Sequence, residues 1–183
     1  MRVKNTKIVK DILLMLAAAG LLAVPVAGPL VFMAIAEELQ LENKYNKRKV
    51  SQTLGYLKRQ GMVGIGYEGD EVVVTLTKKG EEKVLRYNLD NLELKKPLRW
   101  DKQWRLVIFD IPEKFRLARD HFRLKLKELG FHQLQKSAWV HPYPCEDVIT
   151  FLKEVYEIRP FVTLVTAREI DIAKKLRRIF SLF

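Results

Sequence analysis

The sequence from Asn43 to Tyr67 combines cations, amides and hydroxyls and contains no acidic side chain. Such a mixture suits nucleic acid, because lysine and arginine neutralise phosphates while amides and hydroxyls hydrogen-bond to base edges. We predict that nine residues contact double-stranded DNA, eight from this segment and Lys78 from further along the chain. They are Lys44, Lys47, Arg48, Lys49, Ser51, Gln52, Tyr56, Arg59 and Lys78.

A single carboxylate is placed for metal chemistry. Asp110 follows the apolar run 104–109, at the carboxyl end of a predicted strand. A carboxylate in this position could bind Mg²⁺ and promote phosphodiester cleavage if a second ligand joined it. An aspartate before Ile-Pro can instead cap the following turn through its side chain. Because Glu113 is the only other acid nearby, we predict no catalytic residue, metal or cofactor, with Asp110 and Mg²⁺ as the alternative.

The histidines and the cysteine give no pattern of a catalytic or zinc site. His121, His132 and His141 lack the spacing of zinc ligands, and Cys145 has no basic neighbour to activate it. Phosphate-loop, dinucleotide-binding and nucleophile-elbow motifs are also missing from the sequence. Most common enzyme classes are therefore excluded.

The composition points to a polyanionic partner. The chain has 183 residues with 33 Lys and Arg against 22 Asp and Glu, which gives a net charge of +11. Such an excess favours nucleic acid or an anionic membrane surface. A hydrophobic fraction of 48% is enough for a folded core, and the single cysteine excludes an internal disulfide. We expect a cytoplasmic protein.

The run from Ile12 to Ala36 carries no charge and follows a basic start. It is long enough to cross a bilayer, so membrane contact is one interpretation. Pro25, Gly28 and Pro29 interrupt it, however, and a continuous helix disfavours them. We favour two short helices over residues 6–19 and 30–39, joined by an apolar turn and packed in a soluble domain.

The next elements carry the predicted contact residues. Asn46 can cap a helix that ends before Gly61, with an apolar stripe at Val50, Leu54 and Leu57. Strands over 62–67 and 72–77 flank the turn Glu-Gly-Asp at 68–70, and a helix follows over 78–88. This order resembles the winged helix-turn-helix of bacterial transcription regulators. The resemblance lies in residues 54–63, Leu-Gly-Tyr-Leu-Lys-Arg-Gln-Gly-Met-Val, and 76–80, Leu-Thr-Lys-Lys-Gly.

The second half alternates strands and helices. Strands are predicted over 104–110, 131–135, 138–142 and 161–166, and helices over 113–129, 146–157 and 169–180. We expect Val148, Phe151, Leu152 and Val155 to face inward from the second of these helices. Strand–helix–strand–strand–helix–strand is the ferredoxin-like plan. The predicted fold class is thus α+β, with a DNA-binding domain at 1–90, a linker at 91–100 and a ferredoxin-like domain at 101–183.

Several motifs of this second domain resemble the PaaX family of repressors. They are Val-Ile-Phe-Asp-Ile-Pro-Glu at 107–113, Arg119, Gly-Phe at 130–131, Gln-Lys-Ser at 135–137 and Val-His-Pro at 140–142. The central domain of that family is similar to the small nuclease subunit of CRISPR adaptation complexes. The resemblance implies a DNA-binding transcriptional repressor that dimerises through the ferredoxin-like domain. The alternative is a metal-dependent nuclease of the CRISPR type, in which Asp110 would be the metal ligand.

Overall fold

The fold is taken from a computed structural model that describes residues 7–24, 31–38, 44–69 and 71–182. The chain divides into two compact units, residues 1–91 and 92–183. Parts of the sequence analysis fall outside the described residues: the predicted helix start at residue 6, Pro25, Gly28, Pro29 and Asp70 of the predicted turn.

The described part of the first unit contains four helices and three strands. In chain order they are α1 (Lys7–Ala19), β1 (Leu21–Val24), α2 (Val31–Glu38), α3 (Lys47–Arg59), β2 (Val63–Glu68), β3 (Glu71–Leu76) and α4 (Lys78–Asp90). The three strands form one antiparallel sheet in the order β1-β3-β2.

Strand β1 corrects the sequence analysis, which placed only an apolar turn between the first two helices. Gly20 ends α1 with a φ of +73°, and its N–H donates to the Leu16 carbonyl. The chain then pairs with β3, where Leu22 and Val24 point into the core. A four-residue apolar run has no period of its own, so only its pairing partner distinguishes a strand from a turn.

The apolar residues of α1 form much of the first core. Ile12, Leu13 and Leu16 are buried there, together with Ile35 of α2 and Leu54 of α3. Within residues 7–24, 31–38, 44–69 and 71–182, no helix has the length and apolar character needed to cross a membrane.

Helix α3 begins and ends where the sequence predicted. The Asn46 side chain accepts a hydrogen bond from the Arg48 N–H at 2.9 Å, which satisfies one free donor of the first turn. Beyond its end, Gly61 adopts a φ of +66° and donates its N–H to the Lys58 carbonyl at 2.9 Å. Val50 and Leu57 are fully buried, so the predicted apolar stripe faces the core.

The second unit is a four-stranded antiparallel sheet with helices. Its elements are β4 (Trp104–Phe109), α5 (Arg116–Glu128), β5 (His132–Gln135), β6 (Ala138–His141), α6 (Glu146–Val155), β7 (Val162–Ala167) and α7 (Ala173–Ile179). The strand order β5-β6-β4-β7, all antiparallel, is the ferredoxin-like arrangement.

Each helix of this unit differs from the prediction in one respect. Helix α5 begins at Arg116, three residues late, after a 3₁₀ turn over Glu113–Phe115. Helix α7 begins four residues late, because the Asp171 side chain accepts the Ile172 N–H at 2.8 Å and holds a turn there. In α6, Ile149 and Leu152 are the fully buried residues, whereas Val148, Phe151 and Val155, which were expected inward, are half-buried.

Different helices pack against the two faces of this sheet. On one face, Phe109 packs edge-on against Phe122 of α5, with ring centroids 5.3 Å apart. On the other face, Trp104 and Val140 form a smaller core with Leu176 of α7. The contact between Phe109 and α5 stabilises the ferredoxin-like plan, whereas the core around Trp104 attaches the C-terminal helix to the opposite face.

Candidate nucleic-acid interface

The outer side of α3 presents a line of polar side chains. Arg48, Gln52 and Arg59, with Gly55 between them, follow the spacing i, i+4, i+7 and i+11 opposite the buried stripe. Arg48, Gln52 and Arg59 are exposed, and none has a side-chain partner among the described residues. Because their hydrogen-bonding groups are unused, the three side chains are available to an incoming ligand.

Two of the predicted contact residues are engaged within the protein. The Lys44 ammonium lies 2.5 Å from the Asp11 carboxylate, which also accepts a hydrogen bond from Tyr45 at 2.7 Å. Burial alone would raise the pKa of Asp11, but these two hydrogen bonds and the positive charges of Lys44 and Lys7 together lower the pKa. Lys47 pairs with Glu37 of α2 at 2.6 Å. Both lysines therefore also hold the start of α3 against the neighbouring helices.

The remaining predicted contacts differ in exposure. Lys49 and Lys78 are exposed and form no ion pair with any described residue, so they can neutralise phosphates. Ser51 is half-buried on the flank of α3. Tyr56 is half-buried too, and its ring packs against the first core. Tyr56 can therefore offer only part of its surface.

The segment after the hairpin holds the C-terminal end of α3, a role the sequence analysis did not assign to it. The Thr77 hydroxyl donates to the Gly61 carbonyl at 2.6 Å and accepts the Gly80 N–H at 3.2 Å. Lys79 donates to the Gln60 carbonyl at 2.8 Å. A Cβ on Gly80 would lie 2.1 Å from the carbonyl oxygen of Met62, so only glycine fits. The motif Thr-Lys-Lys-Gly thus fixes where the helix ends.

Gly55 is a second residue that the sequence analysis passed over. It sits in the middle of the exposed line, and a Cβ there would meet only the Arg59 Nη1 atom, at an ordinary 3.5 Å. Glycine in a helix interior costs about 1 kcal/mol relative to alanine. Since no close contact inside the protein requires it, this glycine makes the outer surface of α3 flat between Gln52 and Arg59.

Asp110 stands exposed after β4, and only its backbone is engaged. Its N–H donates to the Phe161 carbonyl at 2.9 Å, whereas its carboxylate has no partner among the described residues. The turn-capping interpretation is therefore wrong. The nearby Glu113 is held by Arg119 at 2.8 Å, a hydrogen bond that lowers the pKa of Glu113. At this end of β4 the described residues thus supply a single free carboxylate, which does not fit a divalent metal without ligands from elsewhere.

The other titratable groups singled out in the sequence are structural or isolated. Burial lowers the pKa of His141 to about 4, and its ring lies among Phe131, Tyr143 and Phe180. Burial raises the pKa of the Cys145 thiol to about 12, so it is not a nucleophile at neutral pH. Within the described parts of the chain, no three His, Cys, Asp or Glu residues are grouped so that they could hold a metal.

The strand order and the two faces of the second unit define an α+β protein with a ferredoxin-like domain. Residues 97–179 match the family model described as the PaaX protein central Cas2-like domain. The resemblance predicted from the motifs is thereby confirmed, and this unit of the chain is PaaX-like. A comparison with curated proteins gives no match.

Proposed function

We propose that this protein is a cytoplasmic DNA-binding transcription regulator, a dimeric repressor of the PaaX type. The first unit would act as a winged helix-turn-helix domain, with α3 as its recognition helix and the β2–β3 hairpin as its wing. The ferredoxin-like unit would join two chains, so that two copies of α3 address two half-sites on the duplex.

The observation that carries the proposal is the outer face of α3. Arginine reads guanine and glutamine reads adenine in the major groove, each through two hydrogen bonds. Arg48, Gln52 and Arg59 provide these groups on one side of a helix whose other side is buried. The predicted phosphate contacts Lys49 and Lys78 are also exposed cations without ion pairs in the described residues.

The arrangement of the first unit supports the same function. Helices α2 and α3 pack against each other, and a hairpin follows α3 directly, as in winged helix domains. At the hairpin end Glu68 lies opposite Glu71, so this acidic end would be repelled by phosphates. Contact through the wing is therefore expected from Lys78 at its base rather than from its tip.

The test is a selection of bound duplexes from a random library, followed by footprinting without metal. The parent protein should enrich a defined sequence and protect it. Replacing Arg48, Gln52 and Arg59 with alanine in one variant should abolish that enrichment, since each good base contact is worth about 1–3 kcal/mol. The matched control removes two charges and one amide from α1 and α4: Lys7→Ala, Arg86→Ala and Asn88→Ala. A parent protein that enriches no sequence would refute the proposal.

The dimer would use the sheet face opposite α5 in the second unit. Helix α7 covers the Trp104 end of this face, whereas Ile108 and Val165 remain 44% and 38% exposed. Apolar side chains on adjacent strands form a self-complementary surface when two copies meet across a two-fold axis. Ile108→Glu should therefore yield monomers in sedimentation velocity. Leu117→Glu, at an exposed position on α5, should leave the sedimentation coefficient unchanged; an equal response of both variants would exclude this face.

A further inference from the structure

The second unit carries the larger excess of positive charge. Residues 92–183 contain 19 Lys and Arg against 12 Asp and Glu, a net charge of +7. Residues 1–91 contain 14 and 10, a net charge of +4. Electrostatic attraction to a polyanion therefore does not arise mainly from the unit that holds α3.

Part of this excess lines one cleft, which we call the basic cleft. It has a volume of about 590 Å³, and its cations are Arg99, Lys102 and Arg177. Among the described residues that line it there is no carboxylate, and the nearby Asp101 is held by both terminal nitrogens of Arg105, at 2.8 and 2.6 Å. An anion entering the basic cleft would thus meet three cations and, within the described part of the chain, no competing acid.

One cation of the basic cleft is held in position by an aromatic ring. The Arg177 guanidinium lies 5.6 Å from the centre of the Trp100 ring, a cation–π contact. Trp100 is itself fixed, because its ring packs against the buried Trp104 at 4.8 Å with a tilt of 59°, and its Nε1 donates to the Gln103 carbonyl at 3.0 Å. Lys102 has a φ of +61°, a left-handed conformation that is uncommon outside glycine and that is often found at functional sites. Preorganised groups lose less entropy when they bind.

Exposed cations continue beyond the cleft along α7. Lys174, Lys175 and Arg178 are exposed, and they form no ion pair with any residue that the structure describes. A helix of seven residues spans about 10 Å. Duplex DNA carries one charge per about 1.7 Å of axis, so this surface could face several phosphates at once. Its extent favours a polyanion over a single phosphate group.

We propose that the basic cleft and the cations of α7 bind the phosphate backbone of duplex DNA without regard to sequence. The choice of DNA as the polyanion rests on the proposed function. The surface supplies affinity, whereas the outer face of α3 supplies sequence preference. Such a division lets a protein with few base contacts hold its site at physiological salt.

The test measures how binding of the full-length chain to duplex DNA depends on salt. Arg99→Gln, Lys102→Gln and Arg178→Gln in one variant should reduce the slope of log K against log salt by up to about 0.9 for each phosphate that the variant no longer neutralises. The reduction should be equal for the selected sequence and for random duplexes. A matched control removes three cations elsewhere in the same unit and should leave the slope unchanged: Lys127→Gln, Lys136→Gln and Lys153→Gln.

The outcomes separate this proposal from the proposed function. An unchanged slope in the cleft variant, with sequence preference intact, overturns the proposal alone. A reduced slope in a protein that shows no sequence preference supports the cleft and refutes the sequence-specific regulator. Binding to phosphatidylserine vesicles without binding to any duplex overturns both.

Discussion

Gly55→Ala should separate the stability of the first unit from its proposed binding of DNA. Alanine is favoured over glycine by about 0.8–1.0 kcal/mol in a helix interior. The added methyl group would meet only the flexible end of Arg59, at 3.5 Å, so almost nothing should offset that gain. We therefore expect the free energy of unfolding to rise by about 1 kcal/mol, while binding to the selected duplex weakens because the methyl group stands on the outer face of α3.

Hydrogen exchange measured by mass spectrometry suits this test, since all three tryptophans, Trp100, Trp104 and Trp139, lie in the second unit. Amides of α3 should exchange about fivefold more slowly in the variant. Tryptophan fluorescence reports the second unit as an internal reference. The control for adding a methyl group is Gly66→Ala, because no described atom beyond its chain neighbours lies within 4 Å of the position that the new Cβ would take. Faster exchange in α3, or tighter DNA binding, would refute the reasoning.

Four other changes test further parts of the structure. His141 has a pKa of about 4 in the folded protein against 6.5 ordinarily, so the unfolded chain binds the proton first. The contribution of His141 to the free energy of unfolding is therefore full above pH 6.5 and declines by roughly 3 kcal/mol towards pH 4. Denaturant titrations should show that His141→Phe flattens this pH dependence; an unchanged dependence in the variant would contradict the assignment to His141. Asp110→Asn should leave DNA affinity unchanged, and the parent protein should cleave little DNA or RNA in Mg²⁺ or Mn²⁺. Strong cleavage by the parent that the variant loses would favour the nuclease. Leu16→Asp should unfold the first unit in hydrogen exchange, since an unpaired buried charge costs roughly 3–5 kcal/mol; a protected core would contradict the packed helices. Gly80→Ala should lower the melting temperature strongly, because its Cβ would overlap a carbonyl oxygen; an unchanged value would show that α3 and the hairpin can separate.

Local signals account for what the sequence predicted correctly. The N-cap at Asn46, the stop at Gly61 and the apolar stripe of α3 each depend on residues within one helix. Strand β1 could not be predicted in this way, because its identity depends on pairing with residues about fifty positions further along the chain. Local patterns therefore predicted the helices and six of the strands, whereas β1 was recognisable only from its pairing with β3.

The same difference between local pattern and tertiary contact explains which features of the candidate site could be predicted from the sequence. The exposed face of α3 follows from helical spacing, so Arg48, Gln52 and Arg59 were found from the sequence. The partners of Lys44 and Lys47 were not, because Asp11 is 33 residues away and Glu37 lies on another helix. A charge count treats all these cations alike, whereas the fold assigns some of them to intramolecular ion pairs.

Those intramolecular ion pairs have a consequence for recognition. Exposed pairs such as Lys47–Glu37 contribute little to stability, so the buried stripe of α3 must hold the helix in the core. The ion pairs at its start and the Thr77 and Lys79 hydrogen bonds at its end act on orientation instead. With both ends fixed, the outer face would meet a groove of the proposed DNA ligand at one angle and would lose little entropy on binding. Such preorganisation would allow the three proposed base-reading side chains to discriminate between sequences, because a mismatched base could not be accommodated by a shift of the helix.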